Sequence, residues 1–543
     1  METRGIAFFI LGVATAAFVL EVFIIWRRRQ LRSQGREHAA PDAGLPRAPI
    51  WFAKGLERFG RHVVAAGSAW RRLMSLAQQE LPQDDGARLR WSIVLAALFL
   101  NWSIGHAYAE AIPVHGWQLW TWAVTVAVAF LALVPWGRPP ALWSRDCLIV
   151  LGLVILGGLL RIPGLDTIAP GLHTDEVGLA DVTLRHVFSA PGVTLNPFRS
   201  GSSAQPTLFY YLLWSSMRLF GENMVGLRLP SALAGTLSIA ATYLVTAQVS
   251  GKRVGLFSAA LLLTYHYHIH WSRLALNNVW DTLWIPAILG LFAWSWRSGR
   301  SGGAALSGFA LGLSQYFYLG SKLAIFLLPF LAYSLWRREP DSRKLLVHSA
   351  KVLAAAGVVA LPLIAFAVRE PSGLLDRLPM VFFWQSRAGF GLDPAGVGWW
   401  AAFQDQLFRT FAGFTTLTDG SGFYRPQVPL VLGLAAPLLL GGIAWATLKR
   451  QWLPVLWIGL AMLFAGFALS STPASSHYTA AIPAIVWLIA LLLDGIWTHM
   501  RPWLALVLLT AVMATDLLYY FAIYIPLLPH GDLNQPFPPG PFR

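Results

Sequence analysis

Apolar runs of about twenty residues recur along this chain, and a backbone placed in such a run can satisfy its own hydrogen bonds in lipid only as a helix. They fit helical spans at about 5–26, 91–111, 117–136, 146–161, 226–248, 253–271, 279–296, 302–318, 321–336, 345–368, 427–447, 452–470, 475–495 and 502–525, roughly fourteen in all. With 56% apolar and only 12% charged residues, a soluble fold is excluded. The expected fold class is an all-α polytopic membrane protein, a transmembrane helix bundle with about fourteen spans. The net charge of +15 lies mostly between spans, where the membrane itself explains it, and nucleic acid is not expected as a partner. The single cysteine, Cys147, rules out an intrachain disulfide.

The first run ends in "WRRRQLR", a stop-transfer flank, so residues 1–26 read as a membrane anchor. Residues 27–90 form a basic segment whose part "WFAKGLERFGRHVVAAGSAWRRLMSLA" has the spacing of an amphipathic helix on an anionic leaflet; a solvated linker helix fits equally well. Residues 91–137 then read as a transmembrane hairpin. Placing 27–90 in the cytoplasm puts "GRPPALWSR", "SGKR", "RSGR", "RREPDSRK", "LKRQ" and "THMR" on that side in strict alternation. The alternation requires that Gln205 to Gly221 not cross, and that stretch is therefore expected as an interfacial helix on the outer face. Two long segments, 162–225 and about 371–426, are then outside, and 427–543 carries the C-terminal transmembrane helices.

The outer segment 162–225 contains "GLHTDEVGLA", the most polar point of the chain, with Asp175 and Glu176 adjacent. On a helix the two side chains point about 100° apart, so they cannot readily share one task. Arg273 and Lys322 are the two basic residues in the short outer loops. Either could be an interface anchor or could meet an anionic headgroup arriving from the outer leaflet.

"TDEVG" after the first core span, then "QPTLFYYLL", "GENMVGLRLPSALAG" and a helix ending in "HWSRLALNN" resemble the GT-C membrane glycosyltransferases of the family 39 type, which include protein O-mannosyltransferases and the aminoarabinose transferase acting on lipid A. The resemblance runs from about Arg145 to Pro340, with a later echo in "SSHYTAAIPAIVWLIALL". It implies a GT-C catalytic core over 138–370 with extracytoplasmic loop helices. The implied activity is inverting transfer of a sugar from a polyprenyl-phosphate donor to a hydroxyl of a protein, lipid or glycan acceptor, at the outer face of a bacterial cytoplasmic membrane. It further implies Asp175 as the base, and Arg228 as the arginine of the Arg-Leu-Pro motif. Glu176, the second acid of the site, is turned away from Asp175 on a helix and more plausibly orients Arg228 or a backbone donor. The leaving phosphate needs fixed cations or donors, for which Arg273, Lys322, His477 and Tyr478 are the candidates beside Arg228 and Gln205; His477 and Tyr478 equally suit an interfacial pair. Gln205-Pro206-Thr207 departs from relatives that carry a charged residue or histidine before this proline, which puts contacts at that place in doubt.

His266 and His270, four apart in "YHYHIHWSR", have a spacing that can ligate a divalent metal, although a helix end at the interface is also rich in His, Tyr and Trp. Gly308 and Gly312 suit close helix packing. The aromatic stretches "MVFFWQSRAGF" and "VGWWAAF" of the second outer segment suit an interface belt or sugar stacking. A transporter would also accommodate this helix count, with Asp281 and Asp516 as intramembrane acids, but no repeat of two similar halves is visible. A non-catalytic envelope scaffold would not require Asp175.

Overall fold

The computed structural model describes residues 85–108, 117–134, 145–168, 171–187, 196–198, 206–369, 399–419, 423–424, 426–469 and 472–527. The expected anchor at 1–26, nearly all of the segment 27–90, much of 371–426 and the candidate contact Gln205 lie outside the described residues. Every regular element among those described is helical. In chain order they are α1 (Asp85–Tyr108), α2 (Trp117–Leu133), α3 (Arg145–Arg161), α4 (Thr174–His186), α5 (Leu208–Phe220), α6 (Met224–Ser250), α7 (Lys252–Thr264), α8 (His266–Ser272) and α9 (Asp281–Ser298). There follow α10 (Gly302–Ser314), α11 (Ala324–Arg338), α12 (Ser342–Arg369), α13 (Trp399–Thr415), α14 (Ala435–Leu448), α15 (Trp452–Ala461), α16 (Ser475–Tyr478), α17 (Ile482–His499) and α18 (Pro502–Leu517). Three short 3-10 turns, Asn277–Trp280, Leu319–Leu323 and Thr479–Ala481, sit between long helices.

Among the described residues five helical stretches are long and apolar enough to cross a membrane: Met224–Ser250, Leu319–Arg338, Ser342–Arg369, Ser475–His499 and Pro502–Leu527. Shorter apolar helices run over Leu89–Gly105, Trp117–Leu133, Gly302–Ser314, Ala435–Leu448 and Trp452–Phe467. The stretch expected as one span at 253–271 is broken at Tyr265, whose ψ of 112° ends α7 before α8 begins. The break lets Tyr265 donate to the Leu430 carbonyl (2.9 Å) and Tyr267 to that of Ser475, partners from distant elements. α5 has 13 residues, about 20 Å of helix against a hydrocarbon core of about 30 Å, and packs on α4 and the start of α6.

The core is formed where α6 meets α7 and α9 and where α17 meets α7 and α14, with Trp271, Trp296, Trp457 and Trp487 fully buried. Gly308 and Gly312 of α10 face α12 so closely that a Cβ at Gly312 would lie 2.6 Å from that of Val359. Helix α12 also receives the α1–α2 hairpin: Asn101 Nδ2 donates to the Val358 carbonyl (2.6 Å) and Trp122 Nε1 to that of Val359 (3.1 Å). Trp122 meets Phe198 edge-on at 5.5 Å, so the hairpin supports a residue of the 162–225 segment.

The bundle has two chemically different ends. At one end Lys252 pairs with Asp146, Arg253 pairs with Asp494, Ser250 donates to Gln451 (3.1 Å) and Lys351 donates to Ser301 (2.9 Å). These contacts gather the segments near 146, 250–253, 301, 351, 451 and 494. The opposite end holds residues 162–168 and 171–176, the start of α6, and residues 273–281, 318–322 and 475–481.

Candidate active site

Helix α4 starts from His173, which has extended backbone (φ −68°, ψ 152°) and a side chain that accepts the Asp175 amide through Nδ1 at 3.1 Å. Glu176 turns back to accept the His173 amide at 3.0 Å, closing a capping box that fixes the first turn. The two adjacent acids then diverge. Asp175 is exposed, whereas Glu176 is 0% exposed.

Glu176 is held from three directions. Its oxygens accept Arg228 Nε and Nη2, both at 2.9 Å, and the Ala275 amide at 2.7 Å, in addition to the His173 amide. Burial pushes its carboxyl up, but the Arg228 charge and hydrogen bonds and the two amides outweigh that and hold it below the ordinary value. Arg228 also donates to the carbonyls of Leu165 (2.8 Å) and Gly171 (2.5 Å). The carboxylate–guanidinium pair therefore ties together three parts of the chain, the 165–173 region through Leu165, Gly171 and His173, the start of α6 through Arg228, and the link after α8 through Ala275.

Arg273, too, is engaged with the chain itself. It is 1% exposed and donates to the carbonyls of Leu160 (3.1 Å), Pro163 (2.7 Å) and Gly164 (2.7 Å). Arg161, also fully buried, donates to Gly157 (3.2 Å), Leu262 (3.0 Å) and Leu263 (3.1 Å) and meets His268 Nδ1 at 2.8 Å. Carbonyls at a helix C-terminus lack partners in the helix itself, and here Arg273 serves the end of α3 and the residues after it while Arg161 serves the end of α7. Arg228 and Arg273 are thus both engaged with carbonyls of the chain, and Arg228 with the Glu176 carboxylate as well.

A second polar group forms where the three 3-10 turns meet. Lys322 and His477 are half-buried, and Tyr318 meets His477 Nδ1 at 2.7 Å with the rings stacked at 6.4 Å. Asn278 Nδ2 donates to the Ser476 carbonyl (2.7 Å), joining the 277–280 turn to the 475–481 segment. The first acid of α9, Asp281, accepts the Ser321 hydroxyl at 2.5 Å. Tyr478, beside His477, is buried, with its hydroxyl 3.4 Å from the Thr410 carbonyl and its ring against Phe414. It packs the interior, whereas His477 is half-buried.

Helix α5 joins the two groups. Half-buried Tyr210 lies close to Asp175: burial first, and the Asp175 charge second, hold its phenol above the ordinary range. One residue earlier, Phe209 meets Trp280 at 6.4 Å and Phe317 at 5.9 Å, and Trp280 stacks on Phe317 at 4.5 Å. An aromatic floor therefore runs from the Asp175 side to Tyr318.

The histidines of α8 have other partners. His266 Nδ1 meets the Tyr424 hydroxyl at 2.5 Å and His270 Nε2 the Phe423 carbonyl at 2.9 Å. Both rings pack on Tyr424, at 5.8 and 4.3 Å, and among the described residues no group of three His, Cys, Asp or Glu side chains is placed together. Sequence reasoning did not single out His173, Tyr210, Arg161 or Tyr318. A buried arginine at the end of an apolar run was the one available signal for Arg161.

Residues 204–368 match the family model described as dolichyl-phosphate-mannose-protein mannosyltransferase. The chain is 24% identical over 284 residues to the undecaprenyl phosphate-alpha-4-amino-4-deoxy-L-arabinose arabinosyl transferase 1 of Pseudomonas fluorescens, covering 50% of this chain and 46% of that protein. It is 31% identical over 186 residues to the corresponding transferase of Pseudomonas aeruginosa, covering 33% of each. Similar solved structures include the archaeal oligosaccharyltransferase AglB from Archaeoglobus fulgidus in complex with an inhibitory peptide and a dolichol-phosphate (16% identity, TM-score 0.44, 70% of this chain and 55% of that one). Another is ArnT from Cupriavidus metallidurans bound to undecaprenyl phosphate (15% identity, TM-score 0.42, 70% and 73%). The matched stretch spans about half or less of the curated relatives' length. Over part of its length the chain is thus similar to protein mannosyltransferases and to aminoarabinose transferases.

Proposed function

We propose that this protein is an inverting glycosyltransferase that moves a sugar from a polyprenyl-phosphate donor to an acceptor hydroxyl at the outer face of the membrane. The division of labour between two adjacent acids carries the reading. Glu176 is fully buried on Arg228, while Asp175 remains at the surface on a helix turn that Glu176 holds in place. A base for an incoming hydroxyl must be reachable and rigidly placed, and this arrangement provides both.

In the proposed reaction Asp175 accepts the acceptor proton as the acceptor oxygen attacks the anomeric carbon. The bond from that carbon to the phosphate oxygen breaks, and its electron pair leaves with the polyprenyl phosphate. Lys322, with the donors of Tyr318 and His477 beside it, is the cationic group that meets the phosphate. Arg228 and Arg273 act beneath it, holding the loops that carry Asp175. A single displacement of this kind needs one base and no second carboxylate at the reacting carbon.

The gathering of basic segments at the far end of the bundle supports a site on the outer side, because Lys and Arg accumulate in cytoplasmic loops. The sugar and the acceptor are to be read out by experiment. Purified protein in lipid nanodiscs, offered a panel of labelled polyprenyl-phosphate sugars and protein, lipid and glycan acceptors, is expected to release polyprenyl phosphate with one of them. Release that persists undiminished in Asp175→Asn would remove the assignment.

A further inference from the structure

Asp281 is absent from the chemistry above, yet its surroundings are unusual. It is 0% exposed, at the start of α9, where the 319–323 and 479–481 turns close over it. Oδ1 accepts the Ser321 hydroxyl at 2.5 Å, and the Thr479 hydroxyl and the Ser321 backbone also act on this buried carboxylate. A carboxylate so buried is costly unless a charge compensates it. The charge acting on it is that of Lys322, one residue beyond Ser321. The turn is also moulded on the carboxylate: a Cβ at Gly320 would be driven into Oδ2. Residues 320, 321 and 322 therefore each answer to Asp281, by close approach, by hydrogen bond and by charge.

We infer that Asp281 is a positioning residue for the donor-phosphate subsite, fixing the 319–323 turn so that the Lys322 ammonium is presented toward the lipid phosphate. Asp281 does not touch the donor and acts through Lys322. The inference rests on the proposed function, since it presupposes that Lys322 meets a phosphate. It also accounts for a glycine at 320, which that function alone does not require.

The test is a double-mutant cycle on the full-length protein, reading binding of undecaprenyl phosphate, with undecaprenol as the phosphate-free control. Lys322→Met is expected to weaken phosphate-dependent binding about ten-fold or more, the loss typical of a charge-assisted contact. Asp281→Asn, which keeps the size and can still accept from Ser321, is expected to weaken it about five-fold alone and less than about two-fold once Lys322 is Met, because groups acting as a unit are not additive. Ser321→Ala, which removes one hydroxyl, and Gly320→Ala, whose Cβ displaces the carboxylate, are expected to reproduce the defect in part and to lose it in the same background. An equal loss with and without Lys322 would make Asp281 a general packing residue and overturn the inference, as would unchanged binding in Asp281→Asn, Ser321→Ala and Gly320→Ala alike. Both of those outcomes leave the proposed function standing. Unchanged binding in Lys322→Met would instead remove the phosphate subsite itself, and with it the role of Asp281.

Discussion

Replacing Arg228 by Met leaves the Glu176 carboxylate fully buried with only the His173 and Ala275 amides, and leaves the Leu165 and Gly171 carbonyls short of a donor. Removing one member of a buried ion pair typically costs about 3–5 kcal/mol, most of it from the stranded charge. Glu176→Leu strands Arg228 instead and should cost a similar amount. The double variant Glu176→Leu/Arg228→Met carries no stranded charge, so it should fall short of the sum of the singles by about 1–3 kcal/mol. Equilibrium unfolding in mixed micelles, followed by the many tryptophans, measures all four corners. The pair also predicts a pH response. Because the Glu176 carboxyl is held below the ordinary value of 4.5, its contribution is fully present above that pH and is lost only as pH falls through its lower folded value. Stability measured from pH 7 down to 5 should therefore show no loss from this pair. Singles that add to the double within about 0.5 kcal/mol would refute the clamp, since independent sites add to about that tolerance.

Asp175→Asn should lower sugar transfer by about 10²–10⁴-fold with unfolding unchanged, because the side chain is exposed and the lost step is proton transfer; a purified variant with near-normal turnover would refute it. Arg273→Met should behave as a fold variant, lowering stability while the affinity for donor in the surviving folded fraction stays near normal; a selective donor defect would return it to the phosphate site. Gly308→Val, which drives side-chain carbons into the Val352 backbone of α12, should cost roughly 1–3 kcal/mol of stability. Topology reporters placed between 217 and 225 should report the outside and one near Arg300 the cytoplasm; the reverse would invert the orientation of the site.

The membrane class followed from the sequence because hydrophobic length is a one-dimensional property, and the placement of Lys and Arg in the loops is what gives an expected orientation. The pairing of "TDE" with a later arginine was also visible, since a helix turns successive side chains about 100° apart and only one of two adjacent acids can face inward. What the sequence could not decide was which cations remain near the surface. Arg228, Arg273 and Lys322 look alike along the chain. Two of them are consumed by helix-end carbonyls and a carboxylate brought from elsewhere, while the third stands on a turn shaped by Asp281. The break at Tyr265 was equally hidden, because its partners Leu430 and Ser475 lie more than 160 residues away. A buried donor goes to whichever acceptor the packing supplies, and only the assembled bundle determines which acceptors are within reach.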